Sequence, residues 1–388
     1  MKEFDIKKEA GKKLNLKRMR TWRWSTSVSC VPKKEILSIA PLQKPNLGDL
    51  VLVQVVTLGL HKALENSSGS RLEIFPGTIF VGAFGCRYAM DEFEGMIPEY
   101  LSEDQECDLL NVGGTIGQVV STHSFKGDPT RVRVLSFLKD SSNQIANTQN
   151  HSKASNSARP ESENKEKLKL IIVTGTSMNA GKSNTAKAVI YSLTSAGETV
   201  VAAKVTGTSA KKDVLLMKSA GAVEVCDFVD FGYPSTYMLT ESQIVDLFWK
   251  SYNFLKSKVK GATYIVLEIA DGLYQRETEF ILKDPKIKDF CSHYVFSATD
   301  SVGAIAAANL MEHQYQIKIS AISGPAINSE LGIREVTGKL KEIPVFNNMV
   351  VDATTIANIF LSDKPKTVKA LKKTEGEIDV LPEARVGE

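Results

Sequence analysis

The chain has 388 residues, 43% of them apolar and 24% charged, with a net charge of +3. That length allows two or three domains of about 100–200 residues each, and the near-neutral charge speaks against a surface given over to nucleic acid. No apolar run approaches the roughly 18–20 residues needed to cross a bilayer, no secretory signal opens the chain, and the five cysteines and five histidines are dispersed without metal-site spacing, so a cytoplasmic protein with no membrane contact is expected.

Residues 1–40 read as a basic N-terminal arm, because Lys2 to Arg23 holds nine Lys or Arg against Glu3, Asp5 and Glu9. Such an arm suits an acidic macromolecular partner, or is simply a solvated tail. Residues 41–138 then carry short β-rich runs with turn punctuation. Leu50–Val56 follows Gly48-Asp49, Ile79–Phe84 follows Pro76-Gly77, Ile116–Thr122 follows Gly113-Gly114, and Val132–Phe137 closes the set. This pattern predicts a small β-barrel or sandwich. The segment Gly85–Gly95, which mixes charge, aromatics and glycine, is either a packed surface turn or a contact surface. Residues 139–166 are dominated by Ser, Asn, Lys and Glu and predict a flexible linker.

From 167 to 363 the pattern changes to β-α alternation, and residues 364–388 form a polar C-terminal tail. Short apolar strands are expected at Leu170–Val173, Thr199–Val205, Tyr264–Ile269, His293–Ala298, Ile317–Ser323 and Ile343–Phe346. Helices are expected at Lys182–Ala196, Ala210–Ala220 and Thr240–Lys256. The fold class is therefore α/β, a parallel sheet covered by helices on both faces. Right-handed crossovers would bring the C-terminal ends of its strands to one rim.

On that rim lies Val173-Thr-Gly175-Thr176-Ser-Met-Asn179-Ala180-Gly181-Lys182-Ser183-Asn184-Thr185, a strand, a phosphate-binding loop and a helix start. Backbone N–H groups of such a loop and the positive end of the helix make an anion nest. Lys182 would reach the β- and γ-phosphates, and Ser183 would ligate Mg²⁺. The usual spacing is G-x-x-x-x-G-K-[ST]; here Thr176 takes the first glycine position and Gly175 lies one residue earlier. The form V-T-G-T-x-x-x-x-G-K-S resembles the dethiobiotin synthetase branch of P-loop proteins and, more broadly, the class that contains MinD-type ATPases. The resemblance runs from about Lys167 to Asp363.

What the resemblance implies is an ATP and Mg²⁺ site with Gly175, Thr176, Asn179, Ala180, Gly181, Lys182, Ser183 and Asn184 on the nucleotide. Lys204 looks like the strand-end lysine that faces the substrate in dethiobiotin synthetase. Asp213 and Thr206 are candidates for a switch-like contact. Glu268, the first charge after the apolar run Tyr264–Leu267, matches the metal-holding glutamate, and Asp271 is the second acid, suited to positioning water or an acceptor. Asp300 reads as a helix cap. Ser323–Asn328 follows the fifth strand without an N-K-x-D guanine-reading motif, which favours ATP over GTP. Dethiobiotin synthetase has no N-terminal β-domain, and Ile269-Ala-Asp-Gly272 replaces its Gly-rich turn, so biotin synthesis is not expected. Two readings stand. One is an ATPase coupled to a conformational change or to a macromolecule recruited by the β-domain or the arm; the other is an ATP-dependent small-molecule ligase or kinase. A homodimer is expected by analogy with the class.

Overall fold

The computed structural model describes residues 22–102, 104–159 and 168–361. Most of the basic arm and the polar tail 364–388 lie outside the described residues. So does the stretch 160–167 of the expected linker. The chain divides into two compact units. The first takes the chain up to Ser155 together with Thr206–Lys212 and Asp227–Thr240, and the second takes Asn156–Val205, Asp213–Cys226 and everything from Glu241. A single boundary between residues 138 and 167 does not describe this interleaving.

The first unit is built on a nine-stranded, mostly antiparallel sheet. Leu50–Thr57 pairs antiparallel with Ile79–Phe84 and with Thr130–Lys139, and Glu106–Leu109 pairs antiparallel with Thr130–Lys139 and with Thr115–Thr122. A short parallel pairing, Thr115↔Ala83 and Ile116↔Phe84, joins Thr115–Thr122 to Ile79–Phe84. Where the strand pattern pointed to a small barrel or sandwich, the strands lie in one nine-stranded sheet and not in two facing sheets. Val51, Val53, Phe80, Phe84, Leu109, Ile116, Val132 and Phe137 form one cluster of its core.

Two expectations for this unit are corrected. The arm does not extend to residue 40. From Trp22 onward the chain packs into the core, with Trp22, Trp24, Val28, Val31, Ile36 and Ile39 all buried and Arg23–Trp24 paired to Ile79–Phe84. The charged run ends where these apolar side chains begin. The expected linker is also folded between Asp140 and His151. Asp140 accepts hydrogen bonds from the N–H groups of Ser142 and Gln144, Asn147 caps the turn Thr148–His151, and Ala146 and Thr148 are fully buried. Polar residues that bond the local backbone hold a turn as firmly as apolar ones fill a core.

The second unit has a six-stranded sheet in the order Val225–Asp227, Val200–Lys204, Tyr264–Glu268, Lys169–Gly175, His293–Ser297, Ala321–Ser323. From Val200–Lys204 to Ala321–Ser323 every pairing is parallel. Tyr264–Glu268 is buried at every position, which is why it reads as an unbroken apolar run up to Glu268. The expected strand Ile317–Ser323 shrinks to Ala321–Ser323, and Ile343–Phe346 survives only as the bridge Ile322↔Val345. Lys182–Ser195, Lys212–Ser219, Glu241–Lys258 and Ser301–His313 are helices, and Asp300 caps the last by accepting from Gly303 N–H.

Candidate nucleotide site

Parallel register sets the site. Glu268 lies beside Val173 on one side and beside Lys204 on the other, while Gly175 lies beside Ser297. The loop between Gly175 and Lys182 therefore leaves the sheet next to the one acid that the central strands deliver. Asn179 and Gly181 have left-handed backbone, φ 62° and 86°, which asparagine and glycine adopt at low cost. Turns of this hand direct successive N–H groups to one side. Gly181 is the N-cap of the helix and supplies no side-chain cap. A Cβ on Gly272 would sit 2.4 Å from Thr176 O, so the turn after Glu268 lies hard against the loop.

The charged groups converge. Ser183 Oγ donates to Glu268 Oε1 at 3.0 Å. Lys204 Nζ is bonded to Asp213 and lies 4.0 Å from Glu268 Oε1. Lys182 is buried, 6% exposed, and donates to Ser177 O at 2.7 Å. Asp271 is close enough to act on the charges of both lysines. Burial, with Asp213 nearby, pushes the Glu268 carboxyl up to about 7. Burial lowers Lys182. Burial works the same way on Lys204, but Asp213 and Glu268 more than offset it and hold that ammonium above its usual value.

Glu268 Oε2 is buried and finds no hydrogen-bond partner among the described residues. A carboxylate oxygen in that state, with Ser183 Oγ on its sister atom, is the donor set a hard divalent cation takes. The residues present fit Mg²⁺, and the loop backbone with Lys182 fits phosphate.

Of the residues singled out in the sequence, Gly175, Thr176, Asn179, Ala180, Gly181, Lys182, Ser183 and Asn184 form one continuous loop and helix start, and Lys204, Asp213, Glu268 and Asp271 gather beside it. Thr206 falls in the first unit. Three buried residues behind the loop, Thr185, Ser297 and Asn348, went unassigned. Thr185 stands inside the phosphate-loop motif, and only a hydroxyl three residues after the lysine could have marked it. Asn348 follows the last bridge of the sheet and carries no motif.

No protein-family model matches the chain, and no curated protein does. Among solved structures it is similar to the signal recognition particle receptor FtsY from Elizabethkingia anophelis, at 14% identity and a TM-score of 0.35 over 50% of this chain and 65% of that one. It is also similar to the signal recognition particle 54 kDa protein from Aeropyrum pernix K1 in complex with GDP, at 14% identity and a TM-score of 0.34 over 49% of this chain and 42% of that one. A third is HypB from Helicobacter pylori in complex with nickel, at 13% identity and a TM-score of 0.30 over 50% of this chain and 83% of that one. The chain spans less than two thirds of the first two. Dethiobiotin synthetase is not among these three, and that part of the resemblance stays with the motif. Among the described residues no helix is long and apolar enough to cross a membrane.

Proposed function

We propose that this chain binds and hydrolyses a Mg²⁺-nucleoside triphosphate at Gly175–Asn184, with ATP as the nucleotide. The observation that carries this reading is the pairing of Ser183 with Glu268, whose second carboxylate oxygen is buried and unmet beside a phosphate loop. In this reading Lys182 and the loop N–H groups hold the β- and γ-phosphates, and Ser183 and Glu268 take the metal. Asp271 orients water, and Lys204 and Asp213 fix the charge around Glu268. The engagement of Lys204 with Asp213 and Glu268 supports hydrolysis over transfer to an acceptor, since an acceptor-facing lysine needs a free ammonium. The choice of ATP rests on the lack of an N-K-x-D run after the fifth strand.

We further read the first unit as barrel-like, because the strands Ile79–Phe84, Leu50–Thr57, Thr130–Lys139, Glu106–Leu109 and Thr115–Thr122 pair in a ring. Partner recruitment by this unit or by the basic arm, and a homodimer, belong to the same proposal.

Titration calorimetry with Mg-ATP and Mg-GTP tests the reading. Lys182→Ala is expected to weaken triphosphate binding about 100-fold, the scale on which a buried charged contact counts, with unchanged circular dichroism. Equal affinity of wild type and Lys182→Ala would sink the site. Tighter binding of Mg-GTP than of Mg-ATP would overturn the choice of base alone.

A further inference from the structure

Behind the phosphate loop runs a buried line of hydrogen bonds that the proposed function leaves unused. Asn348 Nδ2 donates to Thr185 Oγ1 at 2.9 Å and to Gly181 O at 3.2 Å. Ser297 Oγ donates to Ala180 O at 2.6 Å and lies 3.0 Å from Thr185 Oγ1. Because the Ser297 hydrogen goes to Ala180 O, the Thr185 hydroxyl donates to Ser297. The donors therefore run in one direction, from Asn348 through Thr185 and Ser297 to the loop. Thr185 and Ser297 are wholly buried and Asn348 is 2% exposed.

The two carbonyls tied by this line, Ala180 O and Gly181 O, are the last two before Lys182. A trans peptide is planar, with its C=O and N–H pointing opposite ways. Holding Ala180 O and Gly181 O towards the interior thus aims the N–H groups of Gly181 and Lys182 outwards, away from the network. The three side chains come from separate elements: the first turn of the phosphate-loop helix, the end of the strand His293–Ser297, and the segment after the bridge at Val345. The direction of two amides is thereby fixed by the tertiary fold as well as by the loop's own conformation.

We propose that Thr185, Ser297 and Asn348 are positioning residues that pre-orient the Gly181 and Lys182 amides for phosphate. This inference rests on the triphosphate reading above. Preorganised amides bind an anion without the cost of turning peptide planes at the moment of binding, so loss of the line should weaken the nucleotide in a protein that is still folded.

Thr185→Val keeps the shape of the side chain and removes the hydroxyl; Thr185→Ser keeps the hydroxyl and removes the methyl. Calorimetric affinity for Mg-ATP is measured well below each variant's unfolding midpoint, where a purely structural role would leave binding unmoved. Thr185→Val is expected to raise the Kd about tenfold, one buried hydrogen bond's worth, and Thr185→Ser to recover most of that loss. Ser297→Ala removes the bond to Ala180 O together with the acceptor of the Thr185 hydroxyl, and serves should Thr185→Val fail to fold; a similar rise is expected. A Kd for Thr185→Val and Ser297→Ala within about twofold of wild type, well under one hydrogen bond's worth, overturns the proposal. So does a Thr185→Ser no better than Thr185→Val. Lys182→Ala in the same assay separates the failures. If it loses affinity while Thr185→Val does not, only the positioning role falls. If wild type binds no triphosphate, the functional reading falls and the positioning role with it.

Discussion

Three buried acids, Asp227 and Glu65 in the first unit and Glu268 in the second, are met differently. In the first, Asp227 Oδ1 accepts from Val229 N–H and Asp230 N–H while its Oδ2 takes Lys211 Nζ at 3.0 Å. Glu65 Oε1 accepts from Lys211 N–H at 2.6 Å and Thr26 Oγ1 at 3.1 Å, and its Oε2 faces Arg71. Buried Arg87 bonds Glu92, His61 and Leu110 O. Every oxygen of these two acids is occupied by protein. In the second unit Glu268 is as deeply buried, yet among the described residues only one of its oxygens is met. A buried acid saturated by its own chain closes a structure, whereas one left half-met offers its remaining valence to something the chain does not contain.

That contrast is breakable, and its largest expected effect lies in the first unit. Asp227→Ala strands the buried ammonium of Lys211 and two capped N–H groups, so it should destabilise the protein by about 3–5 kcal/mol, read as a lower midpoint in urea. A loss under about 1 kcal/mol, the range of a surface pair, would mean that Asp227 is not the closing contact its geometry implies. Next in size is the metal. Glu268→Gln should lower Mg²⁺-dependent ATP affinity about tenfold, the effect of a lost charge-assisted contact, because the amide cannot neutralise the cation. Asp271→Asn should slow single-turnover hydrolysis and leave binding near wild type. Metal dependence lost only in Asp271→Asn would move the ligand one turn along the chain.

A separate effect is one of pH. Burial, with Lys169 nearby, lowers the His293 imidazole to about 4, and burial lowers that of His61 to about 4. Each folded value lies below the unfolded one of about 6.5, so acid favours the unfolded chain. The stability is full above about pH 6.5 and is lost as pH falls towards 4. Urea midpoints should fall across that window, and His293→Phe, which can still meet Phe360 edge-on, should make the slope shallower. An unchanged slope would show that His293 does not titrate apart from the unfolded state.

The phosphate loop was legible because its chemistry needs consecutive residues, from Gly175 to Ser183, and Glu268 because a fully buried strand must be apolar until it reaches the rim. The interleaving was not legible. Thr206–Lys212 joins the first unit through the bridge Thr208↔Ser235, the bond from Asn111 Nδ2 to Ser209 O and the pair Lys211–Asp227. None of these partners is near in sequence, and no periodicity announces them. Asn348 was missed for the same reason, since its role comes from the fold that carries it to Gly181. The turn 140–151 was misread because composition counts polar residues without asking what their side chains bond.

The same interleaving bears on how the protein is made. Synthesis runs from the N-terminus, so every strand of the first unit's nine-stranded sheet exists once Lys139 has emerged. The buried side chains of Glu65, Asn111 and Thr115 then lack Lys211 N–H and Ser209, their later partners. At roughly 5–20 residues per second, several seconds separate the end of the sheet from the arrival of those groups. Throughout that interval the nascent unit carries an unfinished polar interior while the phosphate loop is already being translated. A chain cut short between Lys139 and Ser209 keeps every strand of the sheet and never receives those partners.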